Sequence, residues 1–109
     1  MFATRTLALS TATGSVNVVV TINTPYQEPG AWSCAFEIGW PAGPFKQTAR
    51  GVVGVQAAVN ALQLIGAYLY GSAEHRAGRL SWTKEGGYGF PVPHTMRDEL
   101  VGFDKEFYG

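Results

Sequence analysis

Residues 51–73 read GVVGVQAAVNALQLIGAYLYGSA and contain no charged side chain. Apolar residues recur in this stretch at spacings of three and four, which predicts a helix over residues 53–70. A helix without a charged face has little reason to expose a whole side to water. We therefore expect this helix to lie at the centre of the fold, covered by the rest of the chain or by a second copy of it.

The predicted helix has two apolar stripes and one neutral polar stripe. We expect the first apolar stripe to face a sheet, and it comprises Val55, Val59, Leu62, Ile65 or Gly66, and Leu69. The second apolar stripe comprises Ala57, Ala61, Leu64 and Tyr68. The polar stripe supplies the candidate interface, which consists of Gln56, Asn60, Gln63 and Tyr70. Two interpretations of the polar stripe stay open: it bonds the final segment of the same chain, or its amides pair across the two-fold axis of a homodimer.

The first half of the chain has the alternating pattern of β-strands. Strands are predicted over residues 2–9, 15–22, 32–40 and 45–50. The clearest alternation places one set of side chains on a single face: Trp32, Cys34, Phe36, Ile38 and Trp40. Residues 23–30 contain two prolines and a glycine and are predicted to be a loop. Short connections between the four strands predict an antiparallel β-meander with one face toward solvent.

The last third of the chain is less regular. Residues 79–83 and 88–90 are predicted to pair as a short hairpin. Met96, Leu100, Phe103 and Phe107 then recur at helical spacing, which predicts an amphipathic C-terminal helix or tail over residues 95–107. Together the elements predict one α+β domain over residues 1–109: a four-stranded antiparallel β-meander (residues 1–50) packed against one long central α-helix, with a short hairpin (residues 79–90) and the C-terminal helix.

Composition and charge limit the kinds of molecule and the environment with which this protein can be expected to interact. The eight Lys and Arg side chains balance eight Asp and Glu side chains and are scattered, whereas nucleic-acid-binding proteins concentrate basic residues on one surface. Charged residues make up 15% of the chain, below the roughly 25% of an average domain, which favours self-association. Gln56, Asn60 and Gln63 argue against a membrane span, because lipid would leave their amides unpaired. The single cysteine, Cys34, excludes an internal disulfide and fits a reducing cytoplasm.

Several of these segments resemble a family of small, uncharacterised bacterial proteins. The resemblance rests on Trp32-Ser33-Cys34-Ala35-Phe36-Glu37-Ile38, then Gly51, then Gln56-Ala57 leading into Ala61-Leu62-Gln63-Leu64-Ile65-Gly66. Arg-Thr-Leu at residues 5–7 and Gly-Phe-Pro at residues 89–91 extend it, so that it covers residues 5–91. Members of that family often carry Asp near the helix start, where this chain has Val53 and so lacks the obvious N-cap. The resemblance implies a compact α+β domain and no particular chemistry.

The candidate pocket comprises Trp82, Tyr88, Phe90 and His75. Aromatic side chains around a glycine-rich turn can line a site for a flat or sugar-like ligand, although we favour a role as the lid of the core. His75 beside Glu74 has the residue types of a general base and its orienting group, but adjacent side chains rarely point the same way. The amides of residues 86–89 can cradle a phosphate, yet the stretch lacks the Gly-Lys-Ser/Thr ending of a nucleotide loop, so a plain turn is predicted.

No residues have the spacing of metal ligands, and no cofactor motif is present, so we expect neither a metal nor a cofactor. Cys34 lies on an apolar strand face and is predicted to be a buried structural thiol. The expected function is a homodimerisation or protein-interaction module without catalytic activity. The alternatives are a small-molecule-binding domain or small enzyme that uses the candidate pocket, and an inhibitor or immunity-type partner of another protein, the latter favoured if the segment from Met96 is disordered in isolation.

Overall fold

The computed structural model describes residues 2–108, so the predicted domain bounds at residues 1 and 109 lie outside it. Six strands form the sheet: β1 Ala3–Thr11, β2 Gly14–Ile22, β3 Tyr26–Glu28, β4 Ala31–Ile38, β5 Phe45–Gly51 and β6 Leu80–Ser81. The helices are α1 Gly54–Tyr70, α2 Ala73–Arg76 and α3 Gly102–Tyr108, with a 3₁₀ helix at His94–Glu99. The predicted α+β class is confirmed, whereas the number of strands was wrong.

All strand pairs are antiparallel, and the four long strands lie side by side in the order β1, β2, β4, β5. The two additional strands are short. β6 pairs with β1 at the sheet edge, and β3 pairs with residues 31–33 of β4. β2 covers only residues 36–38 of β4, so β3 completes the same edge. The predicted loop over residues 23–30 therefore contains a strand, because three residues between its prolines find unpaired backbone beside them.

One face of the sheet forms the core. The buried apolar residues of the long strands alternate along each strand: Leu7, Leu9, Val18, Val20, Ile22, Cys34, Phe36, Ile38 and Ala49. Ser33 is also buried, although it is adjacent to Cys34 in β4. Cys34 is fully buried, and its Sγ lies 3.2 Å from the carbonyl oxygen of Asn23. Burial raises the pKa of the Cys34 thiol, because the thiolate would lose its hydration. A protonated, buried thiol is a packing group, as the sequence suggested.

The helix α1 crosses β4 and β5 on a different face from the one expected. The side chains that reach the core are Ala57, Ala61, Ile65 and Leu69. Val55 is 75% exposed and Val59 is 43% exposed, so the predicted sheet-facing stripe was wrong at its first two positions. The physical reason is close approach: Gly51 touches the backbone of Ala57, and small alanines allow the helix to sit directly on the strands.

Both ends of α1 differ from the ends of an ideal helix. The N-cap residue Val53 offers no side-chain acceptor to the first amides of the helix, and the side chain of Gln56 instead accepts a hydrogen bond from the amide of Val52, which precedes the helix, over 2.6 Å. At the other end Gly71 has φ −82° and ψ −3°, so this glycine ends the helix in the right-handed conformation and not in the left-handed one that glycine caps often adopt. A short helix, α2, follows at once and is capped by the hydroxyl of Ser72, which accepts from the amide of His75.

The elements after α2 also differ from the prediction. Tyr88 to Phe90 do not pair with residues 79–83, because β6 pairs with Ala8 and Leu9 of β1 instead. The predicted C-terminal helix is split into the 3₁₀ helix and α3 by an extended Leu100. Gly102 takes φ +55° in tight contact with Glu85, a conformation that favours glycine. This break turns Leu100 and Asp104 toward the core.

The corrected orientation of α1 predicts unequal costs for two truncations of its apolar side chains. We expect Ile65→Ala to lower the free energy of unfolding by about 2–5 kcal/mol, because it leaves a cavity in the core. The matched change Val55→Ala removes a side chain that is exposed in the single chain, and at a concentration where the protein is monomeric it is expected to stay within about 0.5 kcal/mol of the parent. Urea denaturation followed by circular dichroism measures both. Similar losses for the two variants would contradict the orientation described here.

Candidate functional site

A fully buried carboxylate lies where the C-terminal segment meets the end of α1. The Asp104 side chain is 0% exposed and accepts three hydrogen bonds. Its Oδ2 accepts from the hydroxyl of Tyr70 over 2.6 Å and from the amide of Tyr88 over 2.8 Å. Its Oδ1 accepts from the amide of Gly89 over 2.7 Å. Three donors at these distances are the compensation that a buried carboxylate requires.

The two tyrosines of this cluster keep their protons. Burial raises the pKa of Tyr88 to about 12, and the negative charge of Asp104 adds to the effect. Burial followed by the hydrogen bond to Asp104 also raises the pKa of Tyr70. Both hydroxyls therefore remain donors at neutral pH. The ring centroids of Tyr70 and Tyr88 are 5.2 Å apart, so the donors are held by packed aromatic rings.

His75 packs against both tyrosines at the start of α2. Its ring centroid lies 4.8 Å from that of Tyr70 and 5.5 Å from that of Tyr88, and its Nδ1 is hydrogen-bonded to the hydroxyl of Tyr88. Burial lowers the pKa of His75; Glu99 opposes this shift and Arg76 reinforces it. Because the Tyr88 hydroxyl keeps its proton, it can donate to Nδ1 of the neutral imidazole.

A second group forms around Arg5 of β1. The guanidinium carbon of Arg5 lies 4.0 Å from the ring centroid of Trp82 and 5.1 Å from that of Phe90, distances typical of cation–π contacts. Nη1 of Arg5 donates to the carbonyl oxygens of Tyr88 and Gly89 over 3.2 and 2.8 Å. Within residues 2–108 Arg5 forms no salt bridge. The guanidinium group of Arg5 is thus held by the two aromatic rings and the two carbonyl oxygens.

The four candidate pocket residues do not line one pocket. Trp82 and Phe90 contact Arg5, whereas Tyr88 bonds Asp104 and His75 bonds the hydroxyl of Tyr88. Phe90 lines a cavity of about 130 Å³ between β1, β2 and α1, together with Ala3, Thr4, Arg5, Val20, Ile22, Leu62, Ile65 and Gly89. The buried rings of Tyr88 and Phe90 therefore help to close the core, and Phe90 also borders this small cavity.

The candidate interface residues are also divided between two places. Tyr70 is buried in the Asp104 cluster and takes no part in an exposed helix face. Gln56 is exposed, and Asn60 donates to the carbonyl oxygen of Arg50 over 2.8 Å. Asn60 and Gln63 border a shallow depression beside Arg50 and Pro93. The second half of α1 is covered by the chain itself, since a Cβ at Gly66 would collide with the carbonyl of Pro91.

The first half of α1 and the residues before it are open. Four valines lie there at 75%, 55%, 75% and 43% exposure, and with the exposed Gln56 they define what we call the valine surface: Val52, Val53, Val55, Gln56 and Val59. No charged residue occurs between Gly51 and Ala73, so the helical part of this surface carries no ionic group. Contiguous exposed apolar side chains of this kind mark interaction sites.

Sequence reasoning missed Asp104 and Arg5. Asp104 was placed among the charges of an amphipathic helix, and no local pattern distinguishes it from Asp98 or Glu106. The one available signal was the glycine-rich stretch at residues 86–89, whose amides can hold an anion. The structure shows that they do hold one, and that the anion is a side chain of the same protein.

Comparison with known families gives one match. The model of a domain of unknown function, DUF6968, matches residues 3–92. The chain belongs to this family. The matched residues include Tyr70, Tyr88 and Gly89, whereas Asp104, which accepts their hydrogen bonds, lies beyond the matched range. Searches of curated proteins and of solved structures found no match. Among residues 2–108, every helix is too short or too polar to cross a lipid bilayer.

The environment of His75 predicts a pH-dependent stability. Its folded pKa lies below the unfolded value of about 6.5, so the unfolded state binds the proton more tightly. The contribution is complete above the unfolded pKa and is lost as pH falls through that value toward the folded pKa. We expect the free energy of unfolding to decrease between pH 7.5 and pH 5.5. In His75→Gln this decrease should become smaller, whereas exposed His94→Gln should retain it. Equal profiles for the two variants would refute the assignment.

Proposed function

We propose that this DUF6968 protein is a homodimerisation module without catalytic activity, in which the valine surfaces of two copies pack against each other. The observation that carries the proposal is the exposure of four valines at the open end of a charge-free helix. In water, apolar area of this kind gains roughly 25 cal/mol for each Å² that is buried. Pairing buries that area.

Symmetry favours a second copy as the occupant. Across a two-fold axis a surface meets itself, so a charged residue near the axis meets its own like charge. The helical part of the valine surface has no charge to bring together, and the net charge of the chain is zero. The amide of Gln56 offers both donors and an acceptor, so two copies can pair without desolvating an ion.

The valine surface alone is small for a stable dimer. Specific interfaces cover about 800 Å² on each partner, more than five side chains supply. Leu62 follows Val59 along the helix and is half-buried at the rim of the 130 Å³ cavity, beside Ala3 and Thr4 of β1. We infer that the interface extends from the valine surface over this rim, which keeps it apolar and free of carboxylates.

The setting we propose is the bacterial cytoplasm. The unpaired, buried thiol of Cys34 is compatible with a reducing compartment, and the motif from Trp32 to Ile38 resembles bacterial sequences. We propose neither a nucleic-acid nor a membrane partner, since the basic residues are scattered and few.

Introducing charge into the valine surface should dissociate the dimer. We expect Val55→Glu combined with Val59→Glu to weaken self-association by roughly 100-fold or more, because two like charges would be buried near the symmetry axis. Sedimentation equilibrium over a concentration series measures the association constant. Both side chains are exposed in the single chain, so its folding should be preserved.

Val19→Glu provides the matched control. Val19 is 40% exposed, close to the 43% of Val59, but it lies in β2 between two buried residues that point into the core, so its own side chain faces away from the core and α1. This variant should dimerise like the parent. A parent protein that stays monomeric at millimolar concentration, or equal weakening by Val19→Glu, would reject the valine surface as the dimer interface.

The second candidate function is binding of a small ligand in the cavity beside Arg5. Its apolar walls and one cation suit an aromatic ring with an acceptor, and cavities of roughly 150 Å³ accommodate benzene. Phenol or benzoate should then raise the melting temperature of the parent protein. Leu62→Trp, which fills the cavity, should abolish that increase. Melting curves of the parent that do not respond to either compound would exclude this candidate.

A further inference from the structure

The backbone around Tyr88 is shaped to hold a planar anion. Gly87 and Gly89 take φ +81° and +78°, while Tyr88 between them has a negative φ. Alternation of this kind turns successive amides toward one point and forms a concave anion-binding site. The amides of Tyr88 and Gly89 and the hydroxyl of Tyr70 converge there, and we call these three donors the carboxylate nest.

All three donors of the carboxylate nest lie within residues 3–92, which the DUF6968 model matches, and the acceptor lies beyond that range. We propose that this domain contains a binding site for the carboxylate of an acidic side chain, and that the C-terminal segment of this chain occupies the site as a tethered ligand. The inference is independent of the dimer, because the carboxylate nest lies at the covered end of α1 and the valine surface at the open end.

The geometry selects a carboxylate over a larger anion. Each oxygen of Asp104 has its own donors: two for Oδ2 and one for Oδ1. The site is closed to solvent, and a Cβ at Gly87 would lie 2.8 Å from the carboxyl carbon of Asp104. There is space for a flat group of three heavy atoms. A tetrahedral phosphate would place a further oxygen against the Gly87 backbone.

Few side chains of the C-terminal segment are buried. Between residues 93 and 108 only Leu100 and Asp104 are buried. Phe103 adds an edge-to-face contact with Trp82, with ring centroids 5.6 Å apart, while Phe107 remains exposed. The amide of Phe103 also donates to the carbonyl oxygen of Gly86 over 3.1 Å, and the amide of Val101 donates to the hydroxyl of Tyr70 over 3.4 Å. The carboxylate of Asp104, which accepts three hydrogen bonds, is the buried polar anchor of the segment.

Chemical rescue tests the carboxylate nest directly. Asp104→Ala removes the carboxylate and leaves a space that formate can fill. We expect a lower melting temperature for this full-length variant and recovery with sodium formate, by about 5 °C for each tenfold increase above the dissociation constant. Sodium chloride at the same ionic strength should give no comparable recovery. If the variant is unfolded, the same titration is followed as recovery of near-ultraviolet circular dichroism.

Matched variants separate binding from general salt effects. Asp104→Asn fills the space with an amide, so its lower melting temperature should not respond to formate beyond the response of the parent. The exposed Asp98→Ala should behave like the parent. In ¹⁵N–¹H spectra of Asp104→Ala, formate should move the amide signals of Tyr88 and Gly89 toward their positions in the parent. Equal effects of formate and chloride on Asp104→Ala, or an Asp104→Ala melting temperature equal to that of the parent, would overturn the proposal.

Discussion

The fold depends on covering a helix that has no charged face. The sheet covers one side of α1 through alanines that let β4 and β5 approach closely, with Ile65 and Leu69 completing the contact. The segment around Pro91 covers a second side, and Gly66 permits it because a side chain there would collide with the Pro91 carbonyl. Apolar burial drives both contacts, and the absence of charges in α1 means that neither contact desolvates an ion.

The buried Asp104 follows from the same constraint. The end of α1 buries a tyrosine hydroxyl, and the loop that covers the helix buries two amides; each of these donors would cost about 1–3 kcal/mol if left without an acceptor. One carboxylate satisfies all three. A buried charge is costly by itself, but three short hydrogen bonds offset that cost. The three donors thus lie within the residues matched by the DUF6968 model, and in this chain their acceptor comes from the segment that follows the matched range.

The sequence predicted the parts of the fold that depend on local periodicity. The four long strands and the extent of α1 follow from alternation and from helical spacing, and Cys34, Phe36 and Ile38 of β4 are buried on the expected face. Ser33, which does not belong to that face, is buried as well. The helix face, the pairing of β6 and the position of Asp104 depend on tertiary packing. Ala57 and Ala61 displaced Val55 and Val59 from the sheet because small side chains allow closer packing, which hydrophobicity alone does not rank. The pairing of β6 with β1 and the position of Asp104 depend on contacts distant in sequence, and no spacing rule reports such contacts. The glycines at residues 86–89 were compatible with an anion site, but a plain turn was predicted there because no nucleotide-loop ending follows, and nothing in the sequence pointed to Asp104 as the acceptor.

The beginning of α1 lacks the side chains that usually stabilise the first turn of a helix. A side-chain N-cap is worth about 0.5–2 kcal/mol, and an acidic residue in the first turn about 0.3–1 kcal/mol more. This helix has neither, and it places exposed valines where Ser, Asp or Glu would stabilise it in water. If this end of α1 always faced water, polar residues would be more favourable than valine at the exposed positions. Valines and neutral amides are favourable there when a similar surface covers them, because a carboxylate would then be buried without a partner. A helix without charged side chains needs cover from water along its whole length. The chain itself covers the second half of α1, and in the dimer that we propose a second copy covers the first half.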